Sequence, residues 1–320
     1  MSVKLYMFNG SPPARTALIT ATAVGVSVDV KVLHKSEELH TPEFLKMNPQ
    51  HTVPVLDDEG KYLSDSHAIA AYLVGKYGKD DSLYPKDLHQ RAVVDQRMYY
   101  DAGVMFPVIK SCHTGFWKKE YKQLPQEKIE LIKDIYKTLE LFIGANKWIA
   151  DDPQHTVPVL DDGGSILSDS HAIAAYLVGK YGKDDSLYPK DLHQRAVVDQ
   201  RMYYDAGVMF PVIKSCLGGF LKKEYKQFPQ EKIEPIKDIY KTLELFLGDN
   251  KWIAGNNVTI ADISCGTSAS SLDSLHSIDK KVYPKVDNWL NRVKSLPYFK
   301  VEETQLDHFK KFVQEISNWD

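Results

Sequence analysis

The chain is poor in cysteine, and this scarcity excludes several classes of protein. Cysteine occurs three times in 320 residues, at Cys112, Cys216 and Cys265, with no CxxC pair and no spacing typical of a metal site. A disulfide framework and a thioredoxin-type redox centre are therefore not expected, and no metal site is predicted. The few cysteines favour a reducing compartment.

The chain also lacks a strong charge imbalance and long hydrophobic runs. Its formal net charge is −3, which gives no field that would recruit nucleic acid or an anionic membrane. No run reaches the roughly 18 apolar residues that a membrane span needs, and the N-terminus has no long apolar signal segment. We expect a cytoplasmic protein without nucleic-acid or membrane partners.

What the chain does contain is a long internal repeat. Residues 49–150 return as residues 153–254 at an offset of 104, and 10 of the 102 positions differ. A tandem duplication, a fusion of neighbouring genes and an error in the gene model would each produce this pattern. Subtracting one 104-residue period from 320 leaves 216 residues, which is enough for a compact two-domain protein.

The first residues predict a small α/β domain. The segments 3–8 and 26–32 have the pattern of strands, and between them lies a helix that begins at Ser11-Pro12-Pro13 and stops at Gly25. A strand–helix–strand unit of this length predicts two parallel strands. A hairpin signal follows at 52–56 and 61–63, and then a helix from His67 to about Lys76, with Ser66 as its N-cap.

The rest of the chain predicts helices only. From Asp87 onward apolar residues recur at helical spacing, as in 126–142, and Thr259 to Asp262 has the pattern of a capping box. Further amphipathic helices are predicted at 284–293 and 306–316. The sequence therefore predicts a small α/β domain followed by an all-α domain, with a duplicated middle segment.

Three short motifs in the α/β domain suit the binding of a charged, peptide-like thiol compound. Ser11 would place a hydroxyl at a helix N-terminus, where an anion is stabilised. Val53 before Pro54 could offer backbone groups to an extended ligand if the bond is cis, and Asp65-Ser66 opens a helix whose amides suit a carboxylate. Taken singly, each motif is better explained as an ordinary cap or strand edge.

Together these motifs resemble the glutathione transferase family. The resemblance is carried by "SPPAR", "PEFLKMNPQHTVPVLDD", "DSHAIAAYLVGKYGKDDSLYPKD", "RAVVDQRMYYDAGV" and "VTIADIS", and is strongest to the insect epsilon class, with delta as close kin. It covers residues 1 to about 299. It implies a thioredoxin-like N-terminal domain, an all-helical C-terminal domain and a homodimer that uses glutathione as co-substrate and no other cofactor.

The resemblance also implies the site residues. Ser11 would hydrogen-bond the glutathione thiolate, Val53 would hold the cysteinyl backbone, and Asp65 and Ser66 would hold the γ-glutamyl end. Asp101 or its copy Asp205 would reach the γ-glutamyl amine across a dimer interface. The implied glutathione-binding set is His40, His51, Thr52, Val53, Pro54, Asp65, Ser66 and His67, although the loop before Pro42 is one residue shorter than the family pattern.

An electrophile pocket is implied at Pro13 and on the first long helix of the C-terminal domain, which exists in two copies. The candidates in the two copies are Phe106, Ile109, Lys110, His113 and Trp117, and Phe210, Ile213, Lys214, Leu217 and Leu221. Three of the ten differences between the copies fall here, at 113/217, 114/218 and 117/221. These differences are explained either by neutral sequence change on a solvent-exposed helix face or by two different substrate pockets. We favour two different substrate pockets.

The second copy contains no counterpart of Ser11, so only one complete unit can form. It would supply His155, Val157, Pro158, Asp169 and Ser170 without the thiol-activating group. The complete unit could combine 1–84 with 189–320, 1–150 with 255–320, or 1–48 with 153–320. Continuity of each domain favours the first, in which 85–150 is a first copy of the C-terminal helices and 151–188 a partial thioredoxin-like copy. Pro235, inside a predicted helix, favours the second.

Two hypotheses of function follow. In the first, the chain is a transferase that conjugates glutathione to hydrophobic electrophiles, with peroxidase or dehydrochlorinase side activity. In the second, it is a non-catalytic binding protein or a misassembled product of the duplication.

Overall fold

The computed structural model describes residues 3–144, 149, 158–225 and 229–317. The chain divides into two compact units. Unit 1 comprises residues 1–80 and 184–320, and unit 2 comprises residues 81–183. This grouping corresponds to the first of the three combinations.

Unit 1 begins with the strand–helix–strand element. It consists of β1 (Val3–Met7), α1 (Pro12–Ala23) and β2 (Val28–Val32), and the two strands are parallel, as predicted. Gly10 has a φ of 80°, which lets the chain turn from β1 into α1. Gly25, with a φ of 77°, ends α1 in a Schellman motif: its N–H donates to the carbonyl of Thr22, and Val26 donates to that of Ala21.

A short 3-10 helix (Ser36–His40) and α2 (Pro42–Met47) lead to β3 (Val55–Asp58), β4 (Lys61–Ser64) and α3 (Ser66–Tyr77). The sheet order is β2-β1-β3-β4, and β3 is antiparallel to both of its neighbours. α1 and α3 pack against each other. This confirms the predicted thioredoxin-like fold.

Two local predictions in this domain were wrong. β3 begins at Val55 rather than at residue 52, because residues 50–52 form a loop whose polar groups bond to Asn48. The N-cap of α3 is Asp65, not Ser66: the Asp65 carboxylate accepts from the backbone N–H groups of His67 and Ala68, and Ser66 is the first helical residue.

Unit 2 contains α4 (Leu88–Tyr100), α5 (Phe106–Trp117), α6 (Gln126–Ile143), β5 (Val159–Asp162), β6 (Ser165–Ser168) and α7 (Ser170–Tyr181). A π-helical turn joins α4 to α5. β5 and β6 pair as a two-stranded antiparallel sheet, and α4 packs on α7. One cluster of its core consists of Ala92, Val93, Leu167 and Tyr176. Unit 2 thus has the β3–β4–α3 copy without a β1–α1–β2 counterpart among its described residues.

The helical part of unit 1 contains α8 (Leu192–Tyr204), α9 (Phe210–Leu221), α10 (Gln230–Leu247), α11 (Ile260–Leu275), α12 (Pro284–Lys294) and α13 (Val301–Ser317). α8 packs on α3, and α11 packs on α8, α9, α12 and α13. These contacts confirm the predicted all-helical domain. No helix among the described residues has both the length and the apolar character needed to cross a membrane.

The expected break at Pro235 does not occur. α10 begins at Gln230, as its copy α6 begins at Gln126, and it continues through Pro235 to Leu247. The ring and the missing N–H of Pro235 affect the carbonyl of Glu231, which lies in the first turn. Beyond the proline, α10 is anchored by a buried apolar face that consists of Ile236, Ile239, Tyr240, Leu243, Phe246 and Leu247.

Candidate active site

The strand register of unit 1 brings the three predicted motifs to one edge of the sheet. Tyr6 near the end of β1 pairs with Val55 at the start of β3, and Val55 pairs with Ser64 at the end of β4. The segments that carry Ser11, Val53-Pro54 and Asp65-Ser66 therefore leave the sheet at the same edge. A ligand that spans this edge could contact all three.

Ser11 occupies the predicted N-cap position of α1, but its side chain makes no capping hydrogen bond. Pro12 and Pro13 have no N–H to offer, so the first turn of α1 demands little from a cap. The backbone N–H of Ser11 donates to the carbonyl of Phe8 at 3.3 Å. Half-buried Ser11 therefore lies at the positive end of a 12-residue helix, and its hydroxyl does not cap that helix.

The Val53–Pro54 peptide bond is cis, as expected. The loop before it is held by Asn48, a fully buried residue that the sequence reasoning did not single out. The Asn48 amide donates to the carbonyl of Thr52 at 2.9 Å and to its hydroxyl at 3.0 Å. Its oxygen accepts from the N–H of Gln50 and from the Ser64 hydroxyl. Asn48 thus fixes residues 50–52 against β4.

Asp65 begins α3 in a left-handed conformation, with a φ of 72°. Its Oδ1 accepts from two helix N–H groups and lies 3.2 Å from Nδ1 of His67. Ser66 is buried at the first position of the helix. His67 is also buried, and its ring stacks on Tyr203 of α8 with centroids 4.9 Å apart. His67 therefore attaches α3 to the helical part of unit 1 in addition to its predicted place beside the ligand.

His40 and His51 lie together, with ring centroids 4.7 Å apart. Partial burial lowers the pKa of His51, and the charges of His40 and of Lys241 on α10 lower that pKa further, whereas Asp238 on the same helix opposes them. His40, His51 and Lys241 lie near the loop that Asn48 holds. Such a cluster of cationic or cationisable groups suits a carboxylate.

The helical wall of unit 1 is supplied by the second copy. Phe210, Lys214 and Leu221 are exposed on α9, Leu217 is half-buried and Ile213 is buried. Pro13 is half-buried on α1. The first-copy candidates Phe106, Ile109, Lys110, His113 and Trp117 belong to unit 2.

Asp205 does not suit the predicted reach across a dimer interface. Its side chain is buried, and its carboxylate accepts a hydrogen bond from the Ser264 hydroxyl of α11. Its copy Asp101 is half-buried in unit 2.

Unit 2 repeats part of this edge. Asp169 has the same φ of 72° and caps α7 through the N–H groups of His171 and Ala172, and His171 stacks on Tyr99 at 4.8 Å. Ser170 and Pro158 are exposed, unlike Ser66 and Pro54. His155 and Val157 lie outside the described residues.

Comparison with known proteins agrees with this geometry. The family model for the glutathione S-transferase N-terminal domain matches residues 5–81 and 121–185, and that for the C-terminal domain matches residues 208–301. Glutathione S-transferase 1 of Manduca sexta is 44% identical over 150 residues, which cover 47% of this chain and 69% of that protein. Glutathione S-transferase D7 of Anopheles gambiae is 47% identical over 107 residues, which cover 33% of this chain and 49% of that protein.

Solved structures are also similar. An epsilon-class glutathione S-transferase from the housefly, Musca domestica, is 29% identical with a TM-score of 0.42, over 98% of each chain. The two N-terminal matches, the C-terminal match and the Manduca relative give the same assignment. The chain therefore belongs to the glutathione S-transferase family.

Proposed function

We propose that unit 1 conjugates glutathione to hydrophobic electrophiles. The observation that carries the proposal is Ser11, whose hydroxyl lies at the N-terminus of α1 and makes no capping hydrogen bond. A hydroxyl in this position can donate to a thiolate and favour it over the thiol. No counterpart of Ser11 exists in the second copy.

The other parts of the edge match the charges of glutathione. The carboxylate of Asp65 and the N-terminus of α3 suit the ammonium and the carboxylate of the γ-glutamyl end. The His40–His51 cluster suits the glycyl carboxylate. Between them, the backbone of Val53 would pair with the cysteinyl residue.

The electrophile would bind against α9, where Phe210 and Leu221 are exposed. The thiolate sulfur attacks the electrophilic carbon and forms a C–S bond. With an aryl chloride the carbon–chlorine bond then breaks and chloride leaves with its electron pair, while the thiol proton has passed to solvent. The serine hydroxyl stabilises the anion by donating a hydrogen bond, and it does not accept this proton because a neutral alcohol is too weak a base.

The test is conjugation of glutathione to a chromogenic aryl chloride by the purified full-length chain. Loss of one hydrogen bond to a charged group costs about 1.5–3 kcal/mol, so Ser11→Ala is expected to lower kcat/KM at pH 7 by about 10- to 150-fold. The apparent pKa of kcat/KM should also rise toward that of a free thiol. Thr16→Ala is the control, because it removes an exposed hydroxyl from the same helix.

Equal losses in the two variants would contradict the role of Ser11. A folded wild-type chain that binds glutathione without turning over the aryl chloride would instead favour the non-catalytic binding protein.

A further inference from the structure

The two copies of the helical segment differ in burial although their sequences are nearly the same. Ile109 is 45% exposed in unit 2 and its copy Ile213 is 5% exposed in unit 1; Phe116 is 44% exposed and Phe220 3%. Tyr136 is 63% exposed and Tyr240 is fully buried. We name the apolar surface of α5 and α6 that contains Ile109, Phe116, Tyr136 and Ile143 the open face.

In unit 1 the equivalent surface is covered by the C-terminal helices. α9 contacts α11 and α13, and α10 packs on α12. The hydroxyl of Tyr240 donates to the carbonyl of His276 at 2.7 Å, and its ring lies 5.6 Å from that of Tyr283. The open face is therefore the interior surface of a helical domain from which the covering helices are missing among the described residues of unit 2.

Stoichiometry limits what can cover the open face. The segment that forms α11–α13 occurs once per chain, whereas the surface that it covers occurs twice. Exchange of α11–α13 between chains would cover one open face and uncover another surface, with no net gain of buried area. Each chain has one open face, so the open face of a second copy is an apolar surface that is present in the same number as the open face it would cover.

Charges at the rim of the open face suit such a pairing. If α6 lies antiparallel to its copy about a two-fold axis near Tyr136, Lys133 approaches Glu140 of the partner subunit, and the reverse contact forms at the same time. Both residues are exposed, and the Lys133 ammonium donates to Glu130 at 2.9 Å on the same helix. A two-fold arrangement is self-complementary and closes after two copies.

We propose that the open face is an interface between two copies of this chain, which pack α5 and α6 of unit 2 against each other about a two-fold axis. The driving force is the burial of the same apolar side chains that unit 1 buries under its own C-terminal helices. The interface leaves unit 1 intact and does not depend on the proposed activity.

The test compares the molar mass of full-length variants by light scattering and sedimentation equilibrium. Tyr136→Glu places a charge on the open face, and Ile143→Glu does so independently at a second position. Leu83→Glu is the matched control, since Leu83 is an exposed leucine of unit 2 in the segment before α4 and outside the open face. Circular dichroism checks that each variant is folded.

We expect the wild type and Leu83→Glu to share one mass, and Tyr136→Glu and Ile143→Glu to share a lower mass, which is half of the wild-type mass if the wild type is a closed dimer or tetramer. Any further interface formed by unit 1 is retained in all four proteins, so the fall in mass reports the open face alone. The proposal is overturned if the wild type has the mass of a single 36.4 kDa chain, if the face variants keep the wild-type mass, or if Leu83→Glu dissociates with them.

Discussion

Truncation of Asp262 should destabilise unit 1 more than any other single change in the helical domain that we consider. Asp262 is fully buried at the third position of α11. Its Oδ2 accepts from the N–H and the hydroxyl of Thr259, which confirms the predicted capping box. Its Oδ1 accepts from the N–H of Ile253 and from the indole of Trp289 at 2.9 Å.

Asp262→Ala removes the acceptor for all four donors. Loss of the cap costs about 1 kcal/mol. The buried N–H groups of Ile253 and Trp289 would be left without an acceptor, at about 1–3 kcal/mol each. Because neighbouring effects overlap, we expect a total loss of about 3–5 kcal/mol in the free energy of unfolding, which is a large part of the stability of a typical domain.

The assay is urea unfolding followed by pulse hydrogen exchange of the peptide that covers α11. The sequence of this peptide occurs once in the chain, so it reports unit 1 alone. With a denaturant slope of about 2 kcal/mol per molar urea, the midpoint should fall by about 2 M. Thr267→Ala on the exposed side of α11 is the control and should change the free energy by no more than about 0.5 kcal/mol. A loss below about 1 kcal/mol in Asp262→Ala would contradict the predicted role of the Asp262 carboxylate.

Two further predictions concern the proposed glutathione site. Ser66→Ala should raise the KM for glutathione by about 10- to 150-fold, because one hydrogen bond to a charged group is lost. Ser170→Ala, in the equivalent turn of unit 2, should leave the steady-state kinetics unchanged. Equal effects of the two substitutions would mean that unit 2 takes part in glutathione binding. His51 has a pKa below the usual 6.5 in the folded chain, so the unfolded chain binds more protons just below pH 6.5 and stability falls as the pH is lowered through this range. His51→Asn should therefore make the melting temperature of unit 1 depend less on pH between about 5 and 7, and asparagine tolerates the φ of 44° at this position. His193 and the other histidines are the same in both proteins. An unchanged dependence of the melting temperature on pH would therefore contradict the lowered pKa of His51.

Much of the local structure could be predicted from the sequence. The start of α1 at Pro12-Pro13, its end at Gly25 and the capping box at Thr259 follow from short-range chemistry, and each lies where it was expected. The local predictions were wrong where groups outside the short sequence motif determine where a strand or helix begins. The loop before β3 is held by Asn48 and Ser64, and a single-residue shift in the cap of α3 depends on the left-handed conformation of Asp65.

The family, the single copy of Ser11 and the two nearly identical middle segments can all be read from the amino-acid sequence. It could not determine which copy completes the unit that contains Ser11, because the two helical surfaces available to α3 are the same: Gln200 bonds to Ser64 in unit 1 as Gln96 bonds to Ser168 in unit 2. The fold shows that α3 packs on α8 and that α7 packs on α4. Identical local sequences have identical local preferences, so long-range packing makes this choice: α8, α9 and α10 are the copies that pack against the C-terminal helices α11–α13, and they form one unit with α3.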